Sequence, residues 1–288
     1  MLNREFQVRA KELRYVAHML RKNPMAIVGI AIIVGFVVII ALAPWIAPYG
    51  PYDQDLANRL KPPTPGHRFG TDSVGRDVYS RVIHGAKYSI AIGLTVILSA
   101  SIIGTLFGTV SGYFGGKLDE AMMRLTDMFL SFPYLILAVV IAAALGPSLD
   151  HAMIAIAAVW WPEYARLARG SVLAEKEKEY VEAARAIGEG NFSIILRYIT
   201  PNILTPIMVK ATMDIGIAIM VGSGLSFIGV GAQPPSPEWG AIIITGRDFI
   251  MKEWWIATFP GIALLFAVMG FNLFGDGLRD ALDPRLRR

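Results

Sequence analysis

Apolar residues in this chain come mainly in long runs. The runs have neither the three-to-four-residue rhythm of a surface helix nor the alternation of a half-buried strand. The first, IVGIAIIVGFVVIIALA at 27–43, contains no charged residue. A hydrocarbon core about 30 Å thick asks for roughly 20 apolar residues in a helix. Six stretches fit that template: 25–48, 88–113, 121–146, 151–169, 201–230 and 254–278. The pattern predicts an all-α integral membrane protein with six transmembrane helices. A short segment, 1–24, precedes a membrane domain at 25–278, and a tail, 279–288, follows it. The fourth stretch is the weakest, because HAMIAIAAVWW soon meets Pro162 and Glu163. Pro133, Pro162, Pro206 and Pro260 interrupt four of the stretches, and glycine is frequent throughout. Such residues are tolerated where neighbouring helices or a wet cavity satisfy the freed backbone groups, and small residues let helices approach closely.

One polar interruption stands out. KEKEYVEAARAIGEGNFSIILRYITPN, 176–202, separates the fourth and fifth apolar stretches. EKEKEYVEAARAI is rich in strong helix formers, with Glu and Lys at supporting spacing, and predicts a helix up to Gly188. Gly188 and Gly190 permit a turn, Asn191 or Ser193 can cap the next helix, and Pro201 opens the fifth stretch where proline is tolerated. The expectation is two short helices joined at a bend, with Ala183 and Ala184 as a smooth surface at the tip. Such a loop suits either close approach by another protein or a resting place on the lipid headgroups.

Composition supports the membrane reading. The chain is 54% hydrophobic and only 17% charged, against about 25% charged in soluble domains, and its mean hydropathy is +0.49. Net charge is +4, but in a membrane protein the placement of cations matters more than their sum, and nucleic acid is not an expected partner. With the N-terminus in the cytosol, most of the 27 Lys and Arg fall on the cytosolic side, including Arg4, Arg9, Lys11, Arg14, Arg21 and Lys22. The expected arrangement is therefore multi-pass in the cell (inner or plasma) membrane with both termini cytosolic, loop 49–87 outside and loop 170–200 inside. Leu13, Val16, Ala17 and Leu20 share one helix face, suiting the N-terminal segment to the inner headgroup layer of the lipid. Arg124 and Asp127 are expected to pair near the cytosolic surface, and Trp239 and Trp254 fit an interfacial aromatic belt.

Several chemistries lack their residues. There is no cysteine, which removes disulfides, thiolate metal sites and cysteine nucleophiles. SGYFGGKL, 111–118, has Ser111 where a phosphate loop needs its first Gly and Leu118 where it needs Ser or Thr. GVGAQP at 229–234 puts Pro234 at the third Gly of a dinucleotide loop. His18, His67, His84 and His151 are scattered. FGTDSVGRD, 69–77, suits a turn network, and its Asp72 and Asp77 lack calcium-loop spacing. No cofactor, resident metal or enzymatic activity is expected. The clear intramembrane ionisable residues are Lys210 and Asp214, four apart on one helix. They either neutralise each other or belong to a solute pathway. An ion-coupled carrier and a scaffold that transports nothing both remain open on the residues alone.

Glu182-Ala183-Ala184, then Gly188, then Pro201 resembles the EAA loop of ABC importer permeases, with Tyr198 and Thr200 where Ile and Leu are usual. HRFGTDSVGRDVYSRVIHGAKYSI (67–90), RLTDMFLSFPYLILA (124–138), SFIGVGAQPPSPEWG (226–240) and GDGLRDALDPRLRR (275–288) resemble the C-type permease subunit of dipeptide, oligopeptide and nickel importers. The resemblance covers nearly the whole chain. It implies half of a solute pathway, completed by a homologous second permease, driven by two cytosolic ATP-binding subunits and supplied by an extracytoplasmic solute-binding protein. It also implies that Glu182, Ala183, Ala184 and Gly188 form a coupling loop that docks on an ATP-binding subunit. Peptides are the expected solute, with a nickel complex as the alternative.

Overall fold

The computed structural model describes residues 17–282. Leu13 and Val16 of the N-terminal face, and residues 283–288 of the tail, lie outside the described residues. Among the described residues there is no strand. The chain runs α1 (Pro24–Ile46), α2 (Val78–Phe114), α3 (Gly116–Leu130), α4 (Tyr134–Leu145), α5 (Leu149–Glu175), α6 (Glu179–Ala186), α7 (Asn191–Ile228), α8 (Trp239–Gly246) and α9 (Trp255–Leu282). Helices α1, α2, α7 and α9 are each long and apolar enough to cross a membrane, and α3 with α4 would make a fifth crossing if the pair is one span.

The stretch 121–146, in which Pro133 is expected as an interruption, is two helices bent by 87°. Pro133 sits at the break and lacks the N–H that would continue α3, while its ring pushes Phe132 away from helical geometry. Pro44, Pro162, Pro206 and Pro260 lie inside unbroken helices. The helix predicted from 88 begins at Val78, because the Asp77 carboxylate caps it by accepting the Ser80 N–H at 2.7 Å. At about 1.5 Å per residue α2 is about 55 Å long, so part of it stands clear of a hydrocarbon layer.

Helix α5 is packed most extensively against α2 although it is the least apolar of the long helices. Ala152, Ala155, Ile156, Tyr164, Ala165, Ala168 and Val172 are buried to 1% exposure or less. Gly104, Gly108 and Gly112 of α2 lie along it at four-residue spacing. A Cβ on these glycines would stand 2.3 Å from Trp161 O, 2.1 Å from Ala165 O and 3.0 Å from Arg169 O. At positions 104 and 108 only glycine lets the two backbones meet this closely. A similar close approach joins α1 to α9, where a Cβ on Gly29 would meet Phe274 N at 2.5 Å and one on Gly277 would meet Ala26 Cβ at 2.3 Å. Asn23 ties the same pair at its end: it caps α1 by accepting from Met25 N–H at 3.0 Å and donates to Asp280 at 3.2 Å.

The loop before α2 folds into a polar cap over one end of the bundle. Asp72, 1% exposed, accepts from Arg76 Nε and Arg81 on one oxygen, both at 2.6 Å, and from the Val74 and Arg76 N–H groups on the other. Arg81 also donates to Ser236 O at 3.2 Å, which joins this loop to the turn before α8. Asp77 is paired with His67 at 2.9 Å. Glu238 is fully buried; it accepts from the Ser89 and Ser223 hydroxyls and from the N–H groups of Gly240 and Ala241. Trp239 does not join an interfacial belt, as expected, but is fully buried with its indole N–H on Val82 O at 3.0 Å. Trp254 is 48% exposed, as a belt residue would be.

Candidate functional site

The polar interruption forms a hairpin of helices at the opposite end from the cap. It is not one helix from 175 to 187. Helix α5 ends at Glu175, and α6 starts afresh at Glu179. Glu175 is buried, accepts from the Tyr180 hydroxyl and forms an ion pair with Lys178 Nζ at 2.7 Å, so one carboxylate holds the residues that follow the break. Burial, with the adjacent Glu175 hydrogen bond and charge, pushes the Tyr180 phenol up to about 12, so it remains a neutral donor at physiological pH. Val181 and Ala184 of α6 are buried in the same apolar cluster as Val172, Ile194 and Ile199. The helix ends at Gly188, whose φ of +84° is a left-handed conformation that favours glycine. Gly188 N–H reaches Arg185 O at 3.0 Å, and Glu189 N–H reaches Ala184 O at 3.1 Å, closing the helix C-terminus.

The second arm is not a separate short helix. It runs without a break into the fifth apolar stretch as α7. A π turn over Ile194–Ile199 makes this possible: Thr200 N–H bonds back to Ile195 O, just before Pro201, which has no N–H to give. Three contacts brace the hairpin against the end of α2. Lys176 Nζ donates to Gly112 O at 3.0 Å, Tyr113 OH donates to Asn191 at 2.8 Å, and the Arg185 guanidinium lies 5.8 Å from the Tyr113 ring centre.

The four loop residues singled out from sequence are close in space but differ in role. Glu182, Ala183 and Gly188 are exposed. Ala184 is 2% exposed and faces inward, so it is not part of a smooth outer surface. Its small side chain lets α6 lie close on α7. Sequence reasoning missed Ile187 and Phe192, which are 77% and 75% exposed and flank the Gly188 bend. Two large apolar side chains beside a turn signal were legible as a contact surface.

A second polar group lies near the middle of α5 and α7. Lys210 Nζ sits 2.8 Å from Glu163 and 2.9 Å from Asp214, and Tyr164 OH donates to Asp214 at 2.7 Å. The expected mutual neutralisation of Lys210 and Asp214 is present, with a second carboxylate and a hydroxyl that the sequence did not suggest. In the sequence Glu163 ends an apolar stretch; in the fold it is the third charge of this cluster. A cavity of about 810 Å³ opens beside it, lined by Asn202, Thr205, Lys210, Asp214 and Arg279 with apolar neighbours such as Met213. Arg124 and Asp127 do not pair with each other. Arg124 bonds Glu120 one turn away, and Asp127 bonds Arg166 of α5 at 2.6 Å. Helix α3 is held to α5 further along by Asp119 and Arg169, two bonds of 2.6 Å.

The chain can be placed among known proteins. Residues 104–288 match the model described as binding-protein-dependent transport system inner membrane component. The chain belongs to that family. Residues 12–63 match the N-terminal TM domain of oligopeptide transport permease C. The permease is 47% identical, over 93% of its own length and 90% of the relative's, to the probable D,D-dipeptide transport system permease protein DdpC of Escherichia coli. It is 44% identical, over 93% and 88%, to the dipeptide transport system permease protein DppC of Alkalihalophilus pseudofirmus. It is 42% identical, over 92% and 89%, to the di/tripeptide transport system permease protein DppC of Pseudomonas aeruginosa. The fold is shared with a chain of an inward-facing MetNI methionine ABC transporter, at TM-score 0.57 and 19% identity over 70% of this permease and 97% of that chain. The permease is thus a multi-pass inner-membrane transport subunit.

Proposed function

We propose that this permease is half of the membrane pathway of an ATP-driven importer of dipeptides or short peptides, and that α6 and the Gly188 bend are its coupling loop. In this reading α5 and the α3–α4 pair complete six spans. Both termini and the α6 hairpin lie in the cytosol, and the Asp72 cap lies outside. A homologous permease forms the other half, two ATP-binding subunits drive the pair, and an extracytoplasmic binding protein delivers the solute. The chain itself hydrolyses nothing. The observation that carries the reading is mechanical: a hairpin with Glu182, Ala183, Ile187 and Phe192 outward joins the ends of α5 and α7. A pull on it is passed directly to the two helices that hold the Lys210 cluster. The relatives' names support peptides as the solute.

The test is reconstitution of the complex in proteoliposomes with its partner subunits and binding protein. Peptide uptake should require ATP. Gly188→Trp and Ile187→Asp should lower peptide uptake per ATP hydrolysed at least several-fold while the chain stays inserted. Unchanged coupling in both variants would overturn the docking role, and accumulation driven by an ion gradient without ATP would overturn the importer reading.

A further inference from the structure

An apolar slot of about 260 Å³ opens between the cap-side ends of α1, α2 and α9. Phe36 and Ile46 of α1, Val82 and Ala86 of α2, and Phe259 and Ala263 of α9 line it, and no charged residue does. From Phe36 to Ile46 the wall follows about 15 Å of helix, the depth of one leaflet in a hydrocarbon core about 30 Å thick. The slot has nothing to offer a polar ligand, because the indole N–H of Trp239 is already given to Val82 O. Two side chains set its mouth at headgroup level. Trp254 is half exposed, as an interfacial residue is, with its ring centre 5.9 Å from that of Phe259. Arg68 is exposed; it does not line the slot but stands on its rim, where it donates to the hydroxyl of Tyr79, a lining residue, at 3.3 Å and lies 5.1 Å from that ring centre. Among the described residues Arg68 has no carboxylate partner. A further helix is a poor occupant: the small residues of α1 that allow close contact, Ala26 and Gly29, are used against α9, and its outward face presents Val34, Val37 and Leu42.

We infer that this slot is a binding site for an anionic phospholipid of the cap-side leaflet, with one acyl chain between α1, α2 and α9 and the phosphate on Arg68. An apolar slot that opens into hydrocarbon takes up a chain without stripping water from any polar group, and a guanidinium at the mouth matches a phosphate in charge and shape. A zwitterionic headgroup carries its own ammonium, which competes with Arg68 for the phosphate, so a net negative lipid is favoured. Phe69 of the loop before α2 lines the slot and stacks on Phe259 at 3.9 Å between ring centres. A seated chain therefore touches the cap and the bundle together. The site does not depend on what the permease transports.

The experiment uses the permease purified with its partner subunits, in nanodiscs of phosphatidylcholine doped with phosphatidylglycerol that carries a diazirine on one acyl chain. Adducts formed on illumination are mapped by mass spectrometry. Labelling at Val37 and Leu265, which are 60% and 62% exposed, reports bulk lipid and should rise in proportion to the probe fraction. Labelling at Phe36 and Phe259 in the slot should saturate. One arginine near a membrane surface corresponds to about fivefold in affinity for an anionic lipid, so unlabelled phosphatidylglycerol should displace the slot signal about fivefold better than added phosphatidylcholine. Arg68→Gln should abolish that preference and Arg68→Lys should keep most of it. Ala263→Phe, which fills the slot, should lower labelling at Phe36 several-fold and leave Leu265 unchanged. Slot labelling that rises in proportion, like that of Val37, means bulk lipid only and overturns the site. Absence of lipid adducts in the slot means that protein covers it and overturns the site as well. Equal displacement by the two lipids in the wild-type complex, a comparison that needs no variant to assemble, overturns the anionic headgroup and the role of Arg68.

Discussion

Replacing Gly108 by alanine tests the close packing of α5 against α2. The new methyl would stand 2.1 Å from Ala165 O and 2.9 Å from Ala165 C, both backbone atoms. Ordinary contact begins near 3.4 Å, so α2 and α5 must separate by about an ångström. Overpacking of this kind costs about 1–3 kcal/mol, and a clash with backbone belongs at the upper end because no rotamer can relieve it. Alanine regains about 1 kcal/mol of helix propensity. The net expectation is a loss of about 2 kcal/mol. Gly112→Ala is the matched control: its methyl would meet Arg169 O at 3.0 Å, where a shift of a few tenths of an ångström suffices and the two effects nearly cancel. Gly35→Ala, with nothing within 4 Å, should be neutral or slightly stabilising. The chain has no cysteine, so one introduced at buried Ala155 of α5 gives a clean report. Its maleimide reactivity against denaturant should show a lower midpoint for Gly108→Ala than for Gly112→Ala or Gly35→Ala. Equal midpoints across the three would refute the claim that close backbone contact organises this interface.

The cap and the orientation of the chain are open to test in the same way. Asp72→Asn leaves the buried Arg76 and Arg81 without their carboxylate; breaking a buried pair costs about 3–5 kcal/mol, so the loop before α2 should lose protection against added protease, and unchanged protection would mean that the cap does not depend on this charge. Single cysteines replacing Ala183 and Thr64 should react with an impermeant maleimide from opposite sides of the membrane; labelling of both from one side would sink the assigned orientation.

Much of the loop is legible in the sequence because its signals are local. Gly188 sits at the left-handed position that ends α6, and Glu182 and Ala183 lie on the exposed side. Ala184 departs from its expected exposure because a helix of eight residues has two faces, and only α7 lying beneath it decides which is covered. The pairing of Asp127 with Arg166, not Arg124, has the same cause: neighbours on one helix are visible in a sequence, and partners on another are not. Trp239 is of a type that suits an interface, yet Val82 O and the turn before α8 draw it inside.

By itself, the sequence determined that the chain is helical and membrane-embedded, where its long apolar runs lie, and that a polar hairpin divides two of them. Those properties depend on residues close in the chain, through the length of apolar runs and the chemistry of Gly and Pro. The tertiary structure alone decided that α5, the least apolar long helix, lies along α2, that Gly104 and Gly108 let it approach, and that Glu163 joins Lys210 and Asp214. Each depends on which faces of distant helices meet, and a buried charge keeps its place only when a partner from elsewhere in the chain arrives to hold it.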